Sequence, residues 1–340
     1  TDVADGALWH NLYLIVDSGD TSVWPDNTYH FNTRLNALAI GTPETDYPHE
    51  MHEYAGGHIA NYSQANIFAY FFSATPKQVP PQPAHVICKT TRLQYGAMYW
   101  VTIDRMHRIN EFAVVDARAT GNQVTISAEN ARQLTLRLGD SPVNAAEPVT
   151  IRINGAAAYE GPVKTVTLYA VDGGWSETDP APGILHKTAV LEGPIGDAYT
   201  KTFMVVYGTA GTAEETTANQ SEAQGFCDRW NTWMHAGIAP RPDNGVTAEE
   251  QAAGNLILFG TAESNSILGS ISDDLPISVT RGGVTYHGRT YTGSQYGAYF
   301  AYPNPNSPTH YVVVNHLIIP GTSVKDMEAL PWYWPDYVIF

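Results

Sequence analysis

Only two of the 340 residues are cysteine, only 18 are lysine or arginine, and charged residues of either sign make up just 15%. Cys88 and Cys227 lie far apart in the chain. They give neither a disulfide framework nor a metal-ligand spacing, and each is expected as a buried free thiol. The 18 basic residues face 34 Asp and Glu, a net charge of −16. A surface this acidic repels phosphate backbones, so nucleic acid is excluded as a partner. No apolar run reaches roughly 18 residues, so no membrane span is expected. No basic stretch leading into an apolar one opens at Thr1, so a secretory leader, if there is one, is expected upstream. A full Gly-x-Gly-x-x-Gly fingerprint is also missing, and no cofactor is expected.

What is present is a 43% hydrophobic chain with 20 Tyr and 8 Trp. That mix suits a β-rich secreted or cell-surface protein. The length allows two or three domains with cores of their own.

Leu12-Tyr-Leu-Ile-Val16 is a continuous apolar run, the pattern of a fully buried parallel strand. Pro25-Asp26 opens a helix carrying Phe31, Leu35 and Leu38, and Gly41 ends it. His49–Tyr54 reads as a second strand and Ala55–His58 as a tight loop. Asn61 is placed to cap a helix with Ile67, Phe68, Phe71 and Phe72 on its buried face. A parallel sheet of two strands cannot bury both of its faces, so something must complete it.

A proline-rich linker spans Pro76–Pro83. Beyond it the period changes to two: Val124, Ile126 and Ala128; Leu134, Leu136 and Leu138; Val149, Ile151 and Ile153. Asn154-Gly155 is a hairpin turn signal. These features predict a β-sandwich over 84–172. Over 193–320 the pattern is again α/β. Strands fall at Phe203–Tyr207 and Leu256–Phe259, and a helix to about His235 carries Phe226, Trp230 and Trp233 in its core face. Further elements are a helix over 263–272, a hairpin near Gly282-Gly283, and strands near 296–302 and 310–315. The fold class is therefore α/β plus all-β, ending in an aromatic tail over 321–340. That tail bears Trp332, Tyr333, Trp334 and Tyr337, read as a segment docked on its own domain, or else as a carbohydrate platform or an interface patch.

Three stretches carry a resemblance. Leu14-Ile-Val-Asp-Ser-Gly-Asp20-Thr-Ser-Val-Trp-Pro25 is similar to the segment in which a hydrolase strand ends at the triad aspartate. His52-Glu-Tyr-Ala-Gly-Gly-His58 is similar to the loop that bears the triad histidine. Thr90–Asp104 looks like the first strands of a β-domain that follows such enzymes. Gly193–Ala198, Asn255–Gly260 and Tyr302–Pro305 look like marks of a last α/β domain. Together they resemble prolyl-oligopeptidase-like and esterase-like α/β-hydrolases that carry two C-terminal accessory domains. The resemblance implies that residues 1–80 are the terminal part of a hydrolase sheet, with catalytic Asp20 and His58.

The departure is that no Gly-x-Ser-x-Gly elbow occurs in the chain. Triad order in this fold is Ser, Asp, His, so the nucleophile is expected upstream or on another chain. The implied partner is an N-terminal hydrolase portion carrying that serine, with self-association as a further possibility. His58 would take the serine's proton, while Asp20 fixes the imidazole tautomer. Asp17, on the same strand, is the alternative acid. Trp24 and Tyr54 flank the site as substrate-binding candidates.

His49, His52 and His58 raise the thought of a metal. His49 and His52 face opposite sides of a strand, and Gly56-Gly57 breaks any His-Glu-x-x-His helix, so no metal is expected. Gly208–Gly211, between a strand and a helix, is read as a tight turn in preference to an anion site. The rival reading for the whole chain is a non-catalytic binding or surface-assembly protein of hydrolase ancestry.

Overall fold

The computed structural model describes residues 4–41, 47–58, 62–72, 80–293, 295–316 and 335–340. Asn61, Trp332, Tyr333, Trp334 and the start of the proline-rich linker lie outside the described residues. The protein is mixed α/β, with strands in several sheets. It divides into two compact units, Thr1–Ala189 and Val190–Phe340.

The first unit opens with a 3-10 turn, Ala4–Ala7, then β1 (Leu12–Asp17), α1 (Asp26–Gly41), β2 (His49–Tyr54) and α2 (Gln64–Phe72). β1 and β2 pair in parallel, from Leu12 opposite His49 to Asp17 opposite Tyr54. Their core is small: Ala4, Leu8, Leu35 and Tyr47, with Leu12, Leu14, Phe31 and Leu38 against it. Two expectations fail here. β1 buries only Val16 and Asp17, because a two-stranded sheet has too little covering it to bury the rest. No residue of α2 is buried, and Phe68, Phe71 and Phe72 are exposed. Helical spacing defines an apolar face, but another element must be present to cover it.

A two-sheet body follows. Its strands are β3 (His85–Thr90), β4 (Ala97–Met98), β5 (Val101–Met106), β6 (Ala113–Thr120), β7 (Gln123–Glu129), β8 (Ala131–Arg137), β9 (Val149–Ile153), β10 (Ala156–Gly161), β11 (Thr165–Val171) and β12 (Gly174–Ser176). The sheet orders are β10-β9-β7-β6-β3 and β12-β11-β8-β5-β4. Alternate residues from both sheets meet in one core containing Trp100, Ile103, Val115, Ile126, Leu134, Leu136, Ile151 and Leu168. Period-two patterning puts every second side chain on that face. Asn154 and Gly155 both have positive φ, as the expected β9–β10 hairpin requires.

The edge strand β3 anchors the parallel pair to this body. Trp9 Nε1 donates to the His85 carbonyl at 2.9 Å. Asp5 bridges Arg34 at 2.9 Å and Lys89 at 3.2 Å. Ile87 packs on the small core.

The second unit is built on a six-stranded sheet of order β14-β13-β15-β20-β19-β21. The strands are β13 (Phe203–Tyr207), β14 (Arg241–Pro242), β15 (Asn255–Phe259), β19 (Ala298–Asn304), β20 (Ser307–His316) and β21 (Tyr337–Ile339). β14, β13, β15 and β20 run parallel; β19 and β21 are antiparallel additions. Both faces are covered. α3 (Ala213–Met234) lays Ala223, Cys227 and Trp230 on one. The other holds α5 (Ser266–Ile271) and a hairpin sheet, β16 (Ile277–Thr280), β17 (Gly283–Tyr286) and β18 (Arg289–Thr292). A short α4 (Ala248–Ala252) precedes β15. Every residue of β15 is buried.

A Thr212–Glu215 capping box starts α3, a motif typically contributing about 1 kcal/mol. Trp233, expected in the core, is 39% exposed on the last turn of α3. The described end of the chain pairs with β19 through Tyr337–Ile339, so that part of the tail docks on its own unit. Cys88 and Cys227 are both buried free thiols, pushed up by burial to about 12 and about 11.

Candidate active site

Asp20 sits in the loop leaving the carboxyl end of β1, and His58 in the loop leaving β2. Two neighbouring parallel strands thus deliver both loops to one edge. The loop ends are stitched together: Ser18 N–H donates to the Tyr54 carbonyl at 3.2 Å. Asp17 Oδ1 accepts from Gly19 N–H at 2.8 Å, and a hydrogen bond from Asp20 N–H to the Asp17 carbonyl at 3.2 Å closes the turn. A side chain on Gly19 would meet Asp17 Oδ1 at 3.3 Å and Gly57 N at 3.9 Å. Gly57 has φ +86°, a conformation glycine adopts without a Cβ penalty.

Asp20 and His58 meet. His58 Nδ1 lies 3.2 Å from Asp20 Oδ2. The other carboxylate oxygen accepts from Ser22 N–H at 2.7 Å and Val23 N–H at 2.9 Å. The Val23 N–H, with Ser22 and His58 adding to it, holds the Asp20 carboxyl below its usual range against partial desolvation. An ionised carboxylate only accepts hydrogen bonds, so Nδ1 carries the proton. In the neutral ring of that tautomer Nε2 carries the lone pair that a general base needs. Asp20 is largely covered, at 12% side-chain exposure, while His58 is 62% exposed. The acid is fixed and the imidazole is accessible.

Asp17, the alternative acid, is 6% exposed. It uses Oδ1 on Gly19, and its Oδ2 is buried without a hydrogen-bond partner. It holds the turn that presents Asp20. Trp24 is 71% exposed beside the site. Tyr54 is partly buried, its hydroxyl 3.5 Å from that of Tyr13. His52 stacks on Tyr13 with centroids 4.4 Å apart and contacts Glu50 at 3.1 Å, while His49 contacts the Tyr47 carbonyl at 2.6 Å. Among the described residues no group of three or more His, Cys, Asp or Glu is placed to hold a metal. Nor does any hydrogen bond join His58 to a hydroxyl or thiol there.

The Ser22 and Val23 amides were missed from sequence. Their signal is Asp20-Thr-Ser22, an Asx-turn pattern in which the carboxylate accepts from the backbone two residues on.

In the second unit the strand order reverses between β13 and β15, the place where open α/β sheets leave a ligand crevice. Here it is filled. Gly208 lies against the backbone of Ser264 and Asn265. Ala210 N–H donates to the Ser264 carbonyl at 2.9 Å. The buried Asp243 ties the two loops, accepting from Thr209 N–H at 2.9 Å and Ser266 N–H at 2.6 Å, and from both hydroxyls. The Gly208–Gly211 turn is thus packed against protein.

Comparison with family models, with curated proteins and with solved structures finds no match to this chain. No helix among the described residues is long and apolar enough to cross a membrane.

Proposed function

We propose that the chain is the C-terminal part of a secreted serine hydrolase, an esterase or peptidase, and supplies the Asp and His of its triad. In this reading residues 1–80 end an α/β-hydrolase sheet, 84–172 form a β-sandwich accessory domain and 193–320 a small α/β accessory domain. The observation that carries it is the 3.2 Å contact of His58 Nδ1 with Asp20 Oδ2 at the carboxyl edge of two parallel strands. A second observation supports a partner. Phe68 and Phe72 stack on one another on α2 and are 59% and 80% exposed, apolar side chains that the remainder of a hydrolase sheet would cover.

In the assembled enzyme His58 Nε2 takes the proton of the incoming serine as it attacks an acyl carbon, then returns it to the leaving group. Asp20 keeps Nδ1 protonated and stabilises the imidazolium. The test is a serine-directed fluorophosphonate probe on the native particle, followed by denaturing mass analysis. A labelled Gly-x-Ser-x-Gly serine, in a second polypeptide or elsewhere in the same one, supports the reading, together with loss of labelling in His58→Ala. An unlabelled particle made of this sequence alone overturns it in favour of a non-catalytic surface-assembly role.

A further inference from the structure

The two-sheet body carries a concavity of about 430 Å³, lined by Asp116, Arg118, Thr125, Ser127, Arg152 and the Asn154–Gly155 turn, with Ile126 contributing as well. It lies on the solvent face of β6, β7 and β9, opposite the side that packs the core. Cross-strand register explains its layout. Arg118 pairs with Thr125, and Thr125 with Arg152, so the three form one row across three strands. Asp116 pairs with Ser127 in the next row. Two inter-strand steps of about 4.8 Å set the two arginine backbones about 10 Å apart.

Each lining group has a definable role. Arg118 Nε is 3.4 Å from Asp116 Oδ1, and Arg152 Nη1 donates to the Gly155 carbonyl at 3.2 Å. A guanidinium has five N–H donors, so these contacts leave most of the Arg152 fork for a ligand. Asp116 is itself fixed, accepting from the buried His85 Nε2 at 3.0 Å. The groove thus holds Arg152 with most of its fork unused, Arg118 paired with the anchored Asp116, and two hydroxyls. No aromatic side chain lines it, so a neutral sugar would find no ring to stack on.

We propose that this groove binds an acidic oligosaccharide. A uronate carboxylate would lie on Arg152, with the Arg118–Asp116 pair beside it, and sugar hydroxyls on Thr125, Ser127 and Asp116. Planar, bidentate pairing is what arginine offers a carboxylate, and the volume falls in the range of small-ligand sites. The inference is independent of the hydrolase reading.

Calorimetric titration of the full chain with trigalacturonate, and with maltotriose as the neutral counterpart, tests it at low ionic strength. The expected result is saturable binding of trigalacturonate alone, weakened at least about tenfold in Arg152→Gln and weakened by added salt. Arg152 is exposed, so this variant should keep the fold; an unchanged melting temperature checks that. Thr125→Val, which removes one hydroxyl from the centre of the row, should weaken binding by a smaller factor. No binding of trigalacturonate, equal binding of maltotriose, or unchanged affinity in Arg152→Gln would each overturn the proposal. Inorganic sulfate binding as tightly as trigalacturonate would overturn its saccharide part.

Discussion

Among the described residues, two sheets built on neighbouring parallel strands, β1-β2 and β14-β13-β15-β20, differ in what covers them. β13, β15 and β20 are sandwiched between α3 on one face and α5 with the β16–β18 hairpins on the other. Most of their side chains are buried. β1 and β2 share the same parallel geometry but rest on a core of four buried residues, and their second helix buries nothing. The contrast follows from the crossover geometry of parallel sheets, which are stable only with both faces covered. In the covered sheet the crevice at the strand reversal is packed with protein and crossed by Asp243. The half-covered pair bears the exposed imidazole. One sheet is covered on both faces, and the other holds the Asp20–His58 contact at a largely uncovered edge.

Substitutions can sharpen or break that division. The largest effect is expected from Asp20→Asn, which removes the charge that orients His58. In the proposed hydrolase, turnover should fall on the order of 10⁴-fold. The urea midpoint of the chain should hardly move, as for loop sites outside a packed core generally. Undiminished turnover in the Asp20→Asn variant would remove Asp20 from the chemistry.

Ile257→Ala, in the middle of the covered sheet and 0% exposed, should cost about 2–5 kcal/mol in denaturant unfolding. Leu14→Ala in the half-covered pair should cost clearly less. Comparable losses would mean that the two sheets are equally supported.

Acid titration should separate the regions as well. Burial lowers His316, at the end of β20, to about 4, with Glu263 opposing. Between its ordinary value and about 4 the unfolded chain binds the extra proton, so folding is favoured fully above that window and less as pH falls through it. Roughly 3 kcal/mol should disappear from the second unit in this range. His316→Gln should flatten that dependence. Asp20 has the same sign lower down: its depressed carboxyl stabilises the loop above its unfolded value, and the effect fades as pH drops through the folded one.

The smallest effect on the chain itself is expected for Phe72→Ser. At 80% exposure its loss should move stability by less than about 0.5 kcal/mol. Its readout is association: sedimentation should show weaker retention of the nucleophile-bearing part proposed above.

Much of this was legible in sequence because it is local. The alternation at Val149, Ile151 and Ile153 and the Asn154-Gly155 turn write strands and a hairpin directly. Asp20 and His58 are singled out as a pair by the resemblance of their loops, and the two side chains do meet. What misled was cover. Phe68, Phe71 and Phe72 have helical spacing whether or not anything packs on them, and Trp233 lies just beyond the buried stripe set by Ala223, Cys227 and Trp230. The Arg118–Thr125–Arg152 row was invisible because it depends on β7 and β9 pairing in parallel across intervening chain. No period along one strand reports a neighbour of that kind.

The register of β1 on β2 sets the tolerance of the whole site. Asp17 faces Tyr54, and three residues beyond one and four beyond the other the acid meets the imidazole. A slip of one residue would displace one loop by about 3.3 Å, more than the contact itself can absorb. Alignment of the pair is therefore a matter of gauge: the two strands measure out the gap, and the loops only read it.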